Sequence, residues 1–394
     1  MVKLVQLDNG LRIIINEVRS LSTVGIAIAV NAGSAYEERD KRGLSHIIEH
    51  VIYRAYPNID LVIEGLGGMS DAYTQRTLTM YLFEVIPGNV RGILRIISDM
   101  FSRRGINDDD LNKELRVVLS ELKMRNDDPG TLIYDLGPRA LFGEGDYGDP
   151  VIGYVDTVKS ITRDDIEEYL NRYYTPDNMV MAIVGPVDIS EEELNKYFGK
   201  WYGRVRAKLG FTMGNGGPIV IKRSIDSAYL SYSWYVDIAG NDYMGLIKSS
   251  LLEFHLTTGL SSYLISRLRD KGLSYAVDLD REYLNGIMFF QVVIQAVDPR
   301  DIDEVRKEVE QALRGVGGIG GDGDYVMRRR NYLRYVISES MRRPLDVAES
   351  MAYLGLKFNR YDLDALNNAL EEHFTDDLSD LIRDGVWSMI IPSE

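Results

Sequence analysis

The sequence contains no cysteine. Disulfide bonds are therefore excluded, and a bound metal ion has to rely on histidine and carboxylate side chains. No stretch approaches the length of apolar sequence that spans a membrane, and the segment Met1–Gly10 lacks the apolar core of a signal peptide. We therefore expect a cytoplasmic protein without a membrane span.

Positive charge is also in short supply. The chain has 45 lysine and arginine residues against 60 aspartate and glutamate residues, which gives a formal net charge of −15. A nucleic-acid partner is not expected, because it would require a basic surface. The acidic balance mostly favours solubility, although it is compatible with basic peptide substrates. The 394 residues suffice for two or more domains with complete cores.

Histidine is rare as well, but its placement is informative. Two of the four histidines lie in the segment His46–His50, which reads H-x-x-E-H, a zinc-hydrolase motif in the inverted order. On a helix, residues four apart project from one face and can share a metal ion. Glu49 then stands beside the open coordination position, where a carboxylate can take a proton from water.

The same three polar residues have a second interpretation. The residues around them are apolar and indicate a largely buried helix: Ile47, Ile48, Val51 and Ile52. A buried pair of imidazoles with a carboxylate needs polar partners. Either a metal ion or a hydrogen-bonded core cluster supplies them, and a third ligand would distinguish the two.

A candidate third ligand lies in the segment Asp110–Arg125, which has the periodicity of an amphipathic helix. Glu114 and Glu121 lie two helical turns apart and point the same way. By themselves they are equally consistent with a solvated face. Together with the histidine motif, one acid can complete a His/His/Glu metal site while the other hydrogen-bonds to a metal ligand and orients it.

The glycine-rich segment Gly203–Pro218 is the clearest linker. It divides the chain into a first domain over residues 1–202 and a related second domain over residues 219–394. In each half, strands are followed by helices, which predicts an α+β class with two α/β-sandwich domains, each a mainly antiparallel sheet with helices packed on one face. The repeat is imperfect, because Ser262 stands where His46 would be, so the zinc motif belongs to the first half alone.

Several segments give the chain a resemblance to a known family, the pitrilysin and mitochondrial-processing-peptidase family of inverzincin zinc metallopeptidases. They cover most of residues 1–190 and are Asp8–Leu11, Asn31–Glu37, Gly43–His50, Gly67–Thr74, Glu114–Glu121 and Tyr174–Met179. The resemblance implies that His46, His50 and Glu121 bind Zn²⁺. It further implies that Glu49 is the general base and that Glu114 supports the metal ligands without binding the metal itself.

The resemblance also implies a substrate-binding edge strand beside the metal, formed by Ser70, Asp71, Ala72, Tyr73 and Thr74. A substrate peptide would pair with this strand through backbone hydrogen bonds. The family usually has asparagine where this chain has Asp71. An aspartate accepts a hydrogen bond from a peptide N–H but cannot donate one to a carbonyl, so the substrate preference stays open.

The second half resembles the family around residues 261–277. The resemblance implies that Arg269 and Tyr275 hold the peptide carbonyl and stabilise the oxyanion. The segment between them is one residue shorter than in the family, and Arg267 is an alternative to Arg269. Alternatively, Arg269 is a surface charge and Tyr275 a core residue of a strand.

These resemblances imply a zinc-dependent endopeptidase that cleaves peptides or unfolded protein segments. The chain is about half the length of the single-chain members, so we expect a homodimer, with a heterodimer of related subunits as the alternative. A second functional class is a non-catalytic structural or assembly subunit of the same family, although such subunits typically lack metal ligands. A hydrolase of another small substrate is disfavoured, because the resemblance includes the peptide-binding edge.

Overall fold

The computed structural model describes residues 2–54, 56–102, 107–206, 210–274, 276–321 and 323–393. The chain forms two compact units. The first unit comprises Met1–Leu122, Pro150–Phe211 and Ser338–Leu363, and the second comprises Lys123–Asp149, Thr212–Ile337 and Asp364–Glu394. Among the described residues, no helix is long and apolar enough to cross a membrane.

The regular elements are named here in chain order. The strands are β1 (Val2–Gln6), β2 (Arg12–Glu17), β3 (Val24–Val30), β4 (Gly68–Thr74), β5 (Thr79–Val85), β6 (Met179–Gly185), β7 (Ile219–Arg223), β8 (Ala228–Asp237), β9 (Ala276–Leu284), β10 (Ile287–Val297) and β11 (Val386–Pro392). The α-helices are α1 (Leu44–Arg54), α2 (Ile59–Gly65), α3 (Val90–Ser102), α4 (Asp108–Asp127), α5 (Pro129–Phe142), α6 (Val155–Lys159), α7 (Arg163–Tyr173), α8 (Glu191–Phe198), α9 (Asp242–Thr257), α10 (Tyr263–Asp270), α11 (Ile302–Gly315), α12 (Gly323–Ser340), α13 (Pro344–Lys357) and α14 (Leu363–Glu372).

The sheet of the first unit has the strand order β1-β2-β6-β3-β5-β4. The β2–β6 pair is parallel and the other neighbours are antiparallel. Strand β3 is buried along its whole length, so apolar side chains are required on both of its faces. Ile26 and Ile28 join the core cluster that includes residues of α1 and α3. Strand β4 lies at the edge of this sheet.

The opposite face of the first sheet is covered by α13. Gly25 of β3 faces this helix, and a Cβ atom at this position would collide with the backbone of Pro344 and Leu345. The close approach of helix and strand therefore depends on glycine having no side chain. Arg12 of β2 adds a hydrogen bond of 3.0 Å to the carbonyl of Gly355 in the same helix.

The sheet of the second unit repeats this arrangement with the order β7-β11-β8-β10-β9. The β7–β11 pair is parallel and the others are antiparallel. Helices α9 and α11 contribute to the core on one face. Helix α5 packs on the other face, where Ile133 lies in a small apolar cluster with Val293 and Ile390. Gln291 donates a hydrogen bond of 3.1 Å to the Ile133 carbonyl.

The predicted α+β class with two related sandwich domains is confirmed. Two details go beyond the sequence prediction. Each sheet carries one helix on the face opposite its main helical layer, because its central strands are apolar on both sides. Moreover, α13 of the second half belongs to the first unit and α5 of the first half belongs to the second. The predicted linker thus separates the two sheets along the chain, whereas the compact units exchange two helices.

Candidate metal centre

The candidate metal centre is built on α1, whose first turn is held by a buried carboxylate. Glu37 is 1% exposed and accepts hydrogen bonds from the backbone N–H of Gly43 at 2.9 Å and of Ser45 at 2.7 Å. A carboxylate in this place satisfies N–H groups that the helix leaves unpaired. Burial raises the pKa of Glu37 to about 7, while Ser45, Gly43 and Arg42 act to lower it. The start of α1 at Leu44, two residues before His46, is thus held by Glu37.

His46 and His50 project from the same face of α1, as their spacing predicts. Their ring centroids lie 4.9 Å apart. One ligand atom from each of His46, Glu49 and His50 lies within 4.8 Å of the others. Both imidazoles are mostly buried, with exposed side-chain fractions of 18% and 19%. The sequence motif therefore folds into one cluster of two imidazoles and a carboxylate.

Helix α4 brings Glu121 to this cluster. Its Oε2 atom lies 3.8 Å from Nε2 of His46 and 3.8 Å from Nε2 of His50. Two ligand atoms of a tetrahedral zinc ion, each about 2.1 Å from the metal, are roughly 3.4 Å apart. Two imidazole nitrogens and a carboxylate oxygen also form one of the donor sets that catalytic zinc sites use. These residues fit a zinc ion.

Glu114 of α4 lies behind His50. Its Oε2 atom accepts a hydrogen bond from Nδ1 of His50 at 3.2 Å, and its Oε1 atom accepts one from Nε of Arg54. Because a carboxylate only accepts, the proton of the neutral imidazole resides on Nδ1, and Nε2 is left free to ligate. Glu114 is 3% exposed. Glu114 thus occupies the position of the carboxylate that, in many metal sites, orients a histidine ligand through a hydrogen bond.

Glu49 lies on the same helix but is held differently. Its Oε2 atom accepts a hydrogen bond of 2.6 Å from the hydroxyl of Thr74, the last residue of β4. Burial raises the pKa of Glu49; Thr74 and His50 lower it, and Glu121 raises it further. A carboxyl group whose pKa is raised by burial is a stronger base than an exposed one.

The predicted substrate-binding segment forms β4. Its cross-strand pairs are Ser70 with Phe83 and Ala72 with Tyr81, and Phe83 and Tyr81 belong to the core cluster shared with α1. Ser70, Ala72 and Thr74 therefore face the metal helix, since side chains alternate along a strand.

Asp71 and Tyr73 face the other side of the sheet. The Tyr73 hydroxyl donates a hydrogen bond of 2.7 Å to Glu349 of α13. The Asp71 carboxylate accepts one of 2.9 Å from the backbone N–H of Ala72.

Two residues at the centre carry no role in the sequence prediction. Tyr53 of α1 donates a hydrogen bond of 2.6 Å to the carbonyl of Asp71 and so ties the metal helix to the edge strand. Arg54 pairs with Glu114. The spacing of four residues from His46 through His50 to Arg54 places all three on one helix face, and this signal is readable in the sequence.

An open cavity of about 730 Å³ adjoins the centre within the first unit. Its lining comes from α1, α2, β4 and α4 and from the segment between α1 and α2, and includes Glu49, Tyr53, Leu61, Ala72 and Glu114. The predicted base and the predicted edge strand thus share one cavity, which is large enough for several side chains of a peptide.

The structure describes two of the three residues named for the second half, Arg269 and Arg267, and their roles stay predictions. Arg269 lies in the last turn of α10 with its side chain 36% exposed, and its guanidinium lies 3.9 Å from the carboxylate of Asp270. Arg267, the alternative, donates a hydrogen bond of 2.8 Å to the buried Glu308. Tyr275 lies outside the described residues, so its role stays a prediction.

Comparison with protein families identifies two consecutive matches. Residues 12–153 match the model described as "Insulinase (Peptidase family M16)". Residues 160–319 match the model described as "Peptidase M16 inactive domain". The segment 12–153 contains the candidate metal centre. The segment 160–319 contains four of the five described strands of the second unit's sheet.

Two bacterial relatives are named as uncharacterized zinc proteases. The protein YmxG of Bacillus subtilis is 28% identical over 289 residues, which cover 70% of this chain and 69% of the relative. A protein of Mycobacterium leprae is 29% identical over 328 residues, which cover 80% of this chain and 73% of the relative. Both relatives therefore align with the greater part of the chain.

Solved structures share the fold over the whole chain. A protease from Helicobacter pylori has a TM-score of 0.87 at 20% identity, with 100% of this chain and 99% of the other covered. A chain of complex III from Candida albicans has a TM-score of 0.80 at 15% identity, with 99% and 96% covered. At these identities the likeness shows the two-unit fold.

Proposed function

Since the chain belongs to the M16 family of peptidases, we propose that it is a zinc-dependent endopeptidase that cleaves peptides or unfolded protein segments. The observation that carries this proposal is the convergence of two imidazole Nε2 atoms on Oε2 of Glu121, at 3.8 Å each, beside the carboxylate of Glu49. The names of the relatives support zinc as the metal.

His46, His50 and Glu121 would hold the zinc ion, and Glu114 would keep His50 in the ligating tautomer. When bound, zinc supplies a Lewis acid that polarises the scissile carbonyl and lowers the pKa of water. Glu49 takes a proton from the attacking water and then delivers it to the leaving nitrogen of the cleaved peptide bond. Its burial favours the first step, because burial raises the pKa of its carboxyl group.

The substrate would bind along β4. An edge strand presents unpaired backbone N–H and C=O groups, and an extended peptide can add to it as a further strand. Backbone pairing demands little of the substrate sequence, which agrees with an activity on varied peptides or unfolded segments. The adjoining cavity would receive the side chains next to the scissile bond.

The assembly is proposed from the sequence resemblance. Arg269 and Tyr275 would stabilise the oxyanion, and in a chain of this size they would serve the zinc centre of a second subunit. A homodimer is the simplest arrangement, because one chain carries both the metal motif and the Arg/Tyr segment; a heterodimer with a related subunit is the alternative. The cytoplasmic location inferred from the sequence likewise stays a prediction.

A peptide-cleavage assay tests the proposed function. Purified protein is incubated with a mixed peptide library, with and without a chelator, and the cut sites are identified by mass spectrometry. We expect cleavage that the chelator abolishes and added zinc restores. Glu49→Gln purified in parallel controls for a contaminating protease. Bound zinc without any cleavage would instead support a structural or assembly subunit of the family.

A further inference from the structure

The hydrogen bond between Thr74 and Glu49 connects two parts of the proposed site. Thr74 ends the edge strand β4, and its hydroxyl lies 2.6 Å from Oε2 of Glu49 on the metal helix. Both residues belong to the first unit. A hydroxyl that donates to a carboxylate forms one of the stronger hydrogen bonds in proteins. The bond therefore restricts the rotation of the Glu49 carboxylate.

We propose that Thr74 is a positioning residue for the catalytic base. Its hydroxyl holds Oε2 of Glu49, so that Oε1 is the oxygen presented to the attacking water. This inference rests on the proposed function, because it takes Glu49 to be the base. It gives Thr74 a role beyond that of a residue in the substrate-binding strand.

The crowding around Glu49 explains why such a restraint is needed. A carboxylate oxygen of Glu49 lies within 4.8 Å of ligand atoms of both His46 and His50. A carboxylate this close to two metal-binding imidazoles can become a metal ligand itself, and an oxygen engaged by a metal ion is a poor proton acceptor. The hydroxyl of Thr74 opposes this change, because it engages one oxygen on the side of the edge strand.

The same strand is fixed to α1 at a second point. Tyr53 donates its hydroxyl hydrogen to the carbonyl of Asp71 at 2.6 Å, three residues before Thr74. Strand β4 therefore cannot shift along α1 without breaking one of the two hydrogen bonds. The strand that would receive the substrate and the carboxylate that would act on it are consequently both held in fixed positions relative to α1.

Three variants test this proposal. Thr74→Val removes the hydroxyl and keeps the branched shape, Thr74→Ser keeps the hydroxyl, and Thr79→Val is the matched control. Thr79 is the cross-strand partner of Thr74 on β5; it is buried, and its hydroxyl donates to the carbonyl of Ala32 at 2.9 Å. The control therefore removes a hydrogen-bonded hydroxyl from the neighbouring strand without touching Glu49. If the valine variant does not fold, Thr74→Ala also removes the hydroxyl and replaces that variant in the test.

The expected result separates positioning from packing. Thr74→Val should lower kcat by about 10- to 100-fold with KM within a few-fold of wild type, as expected for the loss of a hydrogen bond to a charged group. Thr74→Ser should retain most of the wild-type kcat, and Thr79→Val should not show the selective loss of kcat. Zinc content should be unchanged in all three variants.

Cobalt substitution supplies a readout that does not depend on turnover. If Glu49 joins the ligands in Thr74→Val, the coordination number of bound Co²⁺ rises and its visible absorption weakens, whereas Thr74→Ser keeps the wild-type spectrum.

Three outcomes would overturn the positioning role. They are an unchanged kcat in Thr74→Val, an equal loss in Thr74→Ser, and an equal loss in Thr79→Val. If the wild-type protein cleaves no peptide, the proposed function fails, and identical cobalt spectra of wild type and Thr74→Val then refute the restraint separately.

Discussion

His50 donates a hydrogen bond from its Nδ1 atom to Oε2 of Glu114 at 3.2 Å. The bond leaves Nε2 of the neutral imidazole unprotonated on the side where Glu121 lies 3.8 Å away. A single acidic helix, α4, thus contacts both nitrogens of one histidine. The two glutamates differ in exposure as well, because the side chain of Glu114 is 4% exposed and that of Glu121 is 41% exposed.

Glu114→Gln should weaken zinc binding without abolishing it. An amide oxygen can still accept from His50 Nδ1, but it lacks the charge that increases the basicity of the ligand, and loss of such support typically lowers metal affinity by about 10- to 100-fold. Competition with a chromophoric chelator measures the change. An affinity equal to that of wild type would show that Glu114 has no part in metal binding.

Glu121→Ala should lose the metal itself. With only two imidazoles left, and Glu49 engaged by Thr74, the site lacks its third ligand. Elemental analysis of the purified variant should find far less than one zinc per chain. A full zinc complement would place the third ligand elsewhere, with Glu114 as the first candidate.

Glu49→Gln should bind zinc normally and lose most of its turnover. Glutamine has nearly the same shape but cannot accept the proton of the attacking water, and general base catalysis contributes about 10²- to 10⁴-fold to rates. Measured together, kcat and zinc content distinguish this variant from the ligand variants, which lose both. Cleavage at the wild-type rate would remove Glu49 from the mechanism.

Subunit mixing tests the proposed dimer. Glu49→Gln and Tyr275→Phe should each be inactive or nearly so. The second variant loses the hydroxyl that is proposed to stabilise the oxyanion and is otherwise unchanged in shape. After subunit exchange, a mixed dimer contains one intact pairing of metal centre and Tyr275, so part of the activity should return. Full activity from a species that sediments only as a monomer would contradict the dimer. The absence of recovery after proven exchange would show instead that each active site is built within one chain.

The stability of the second unit should fall in mild acid because of His255. This residue is 1% exposed, with Nε2 3.0 Å from the carbonyl of Phe374, and burial lowers its pKa to about 4. The carbonyl of Phe374 acts to raise the pKa, and Arg329 lowers it further. Between pH 6.5 and 4 the imidazole of His255 binds a proton in the unfolded chain but not in the folded chain. The free energy of unfolding is therefore unaffected by His255 above pH 6.5 and declines as the pH falls through that range.

The loss attributable to His255 is roughly 3 kcal/mol at most. Calorimetric melting of the metal-free protein measures it, because acid also displaces a bound metal. His255→Gln is the control, since its amide can donate to the carbonyl of Phe374 but does not titrate. The variant should lose less stability than wild type from pH 7 to pH 5. Equal losses would assign the acid sensitivity to other groups.

The division of the chain into two sheets could be predicted because its signals are local. Alternating or continuous apolar strands, helices with an apolar stripe and a glycine-rich linker each occupy a short stretch of sequence. The exchange of α5 and α13 could not be predicted in the same way. Both helices are apolar enough to cover a sheet. Nothing in the sequence of either helix indicates which of the two sheets it covers.

At the candidate metal centre, residue spacing is enough to predict that His46 and His50 share one helix face and that Glu114 and Glu121 share another, because residues four or seven apart on a helix point the same way. Which glutamate lies beside which imidazole nitrogen could not be predicted from spacing, because it depends on how α4 packs against α1. The contact of Thr74 with Glu49 is likewise decided by packing, because 25 residues separate them and no periodicity links a strand end to a helix.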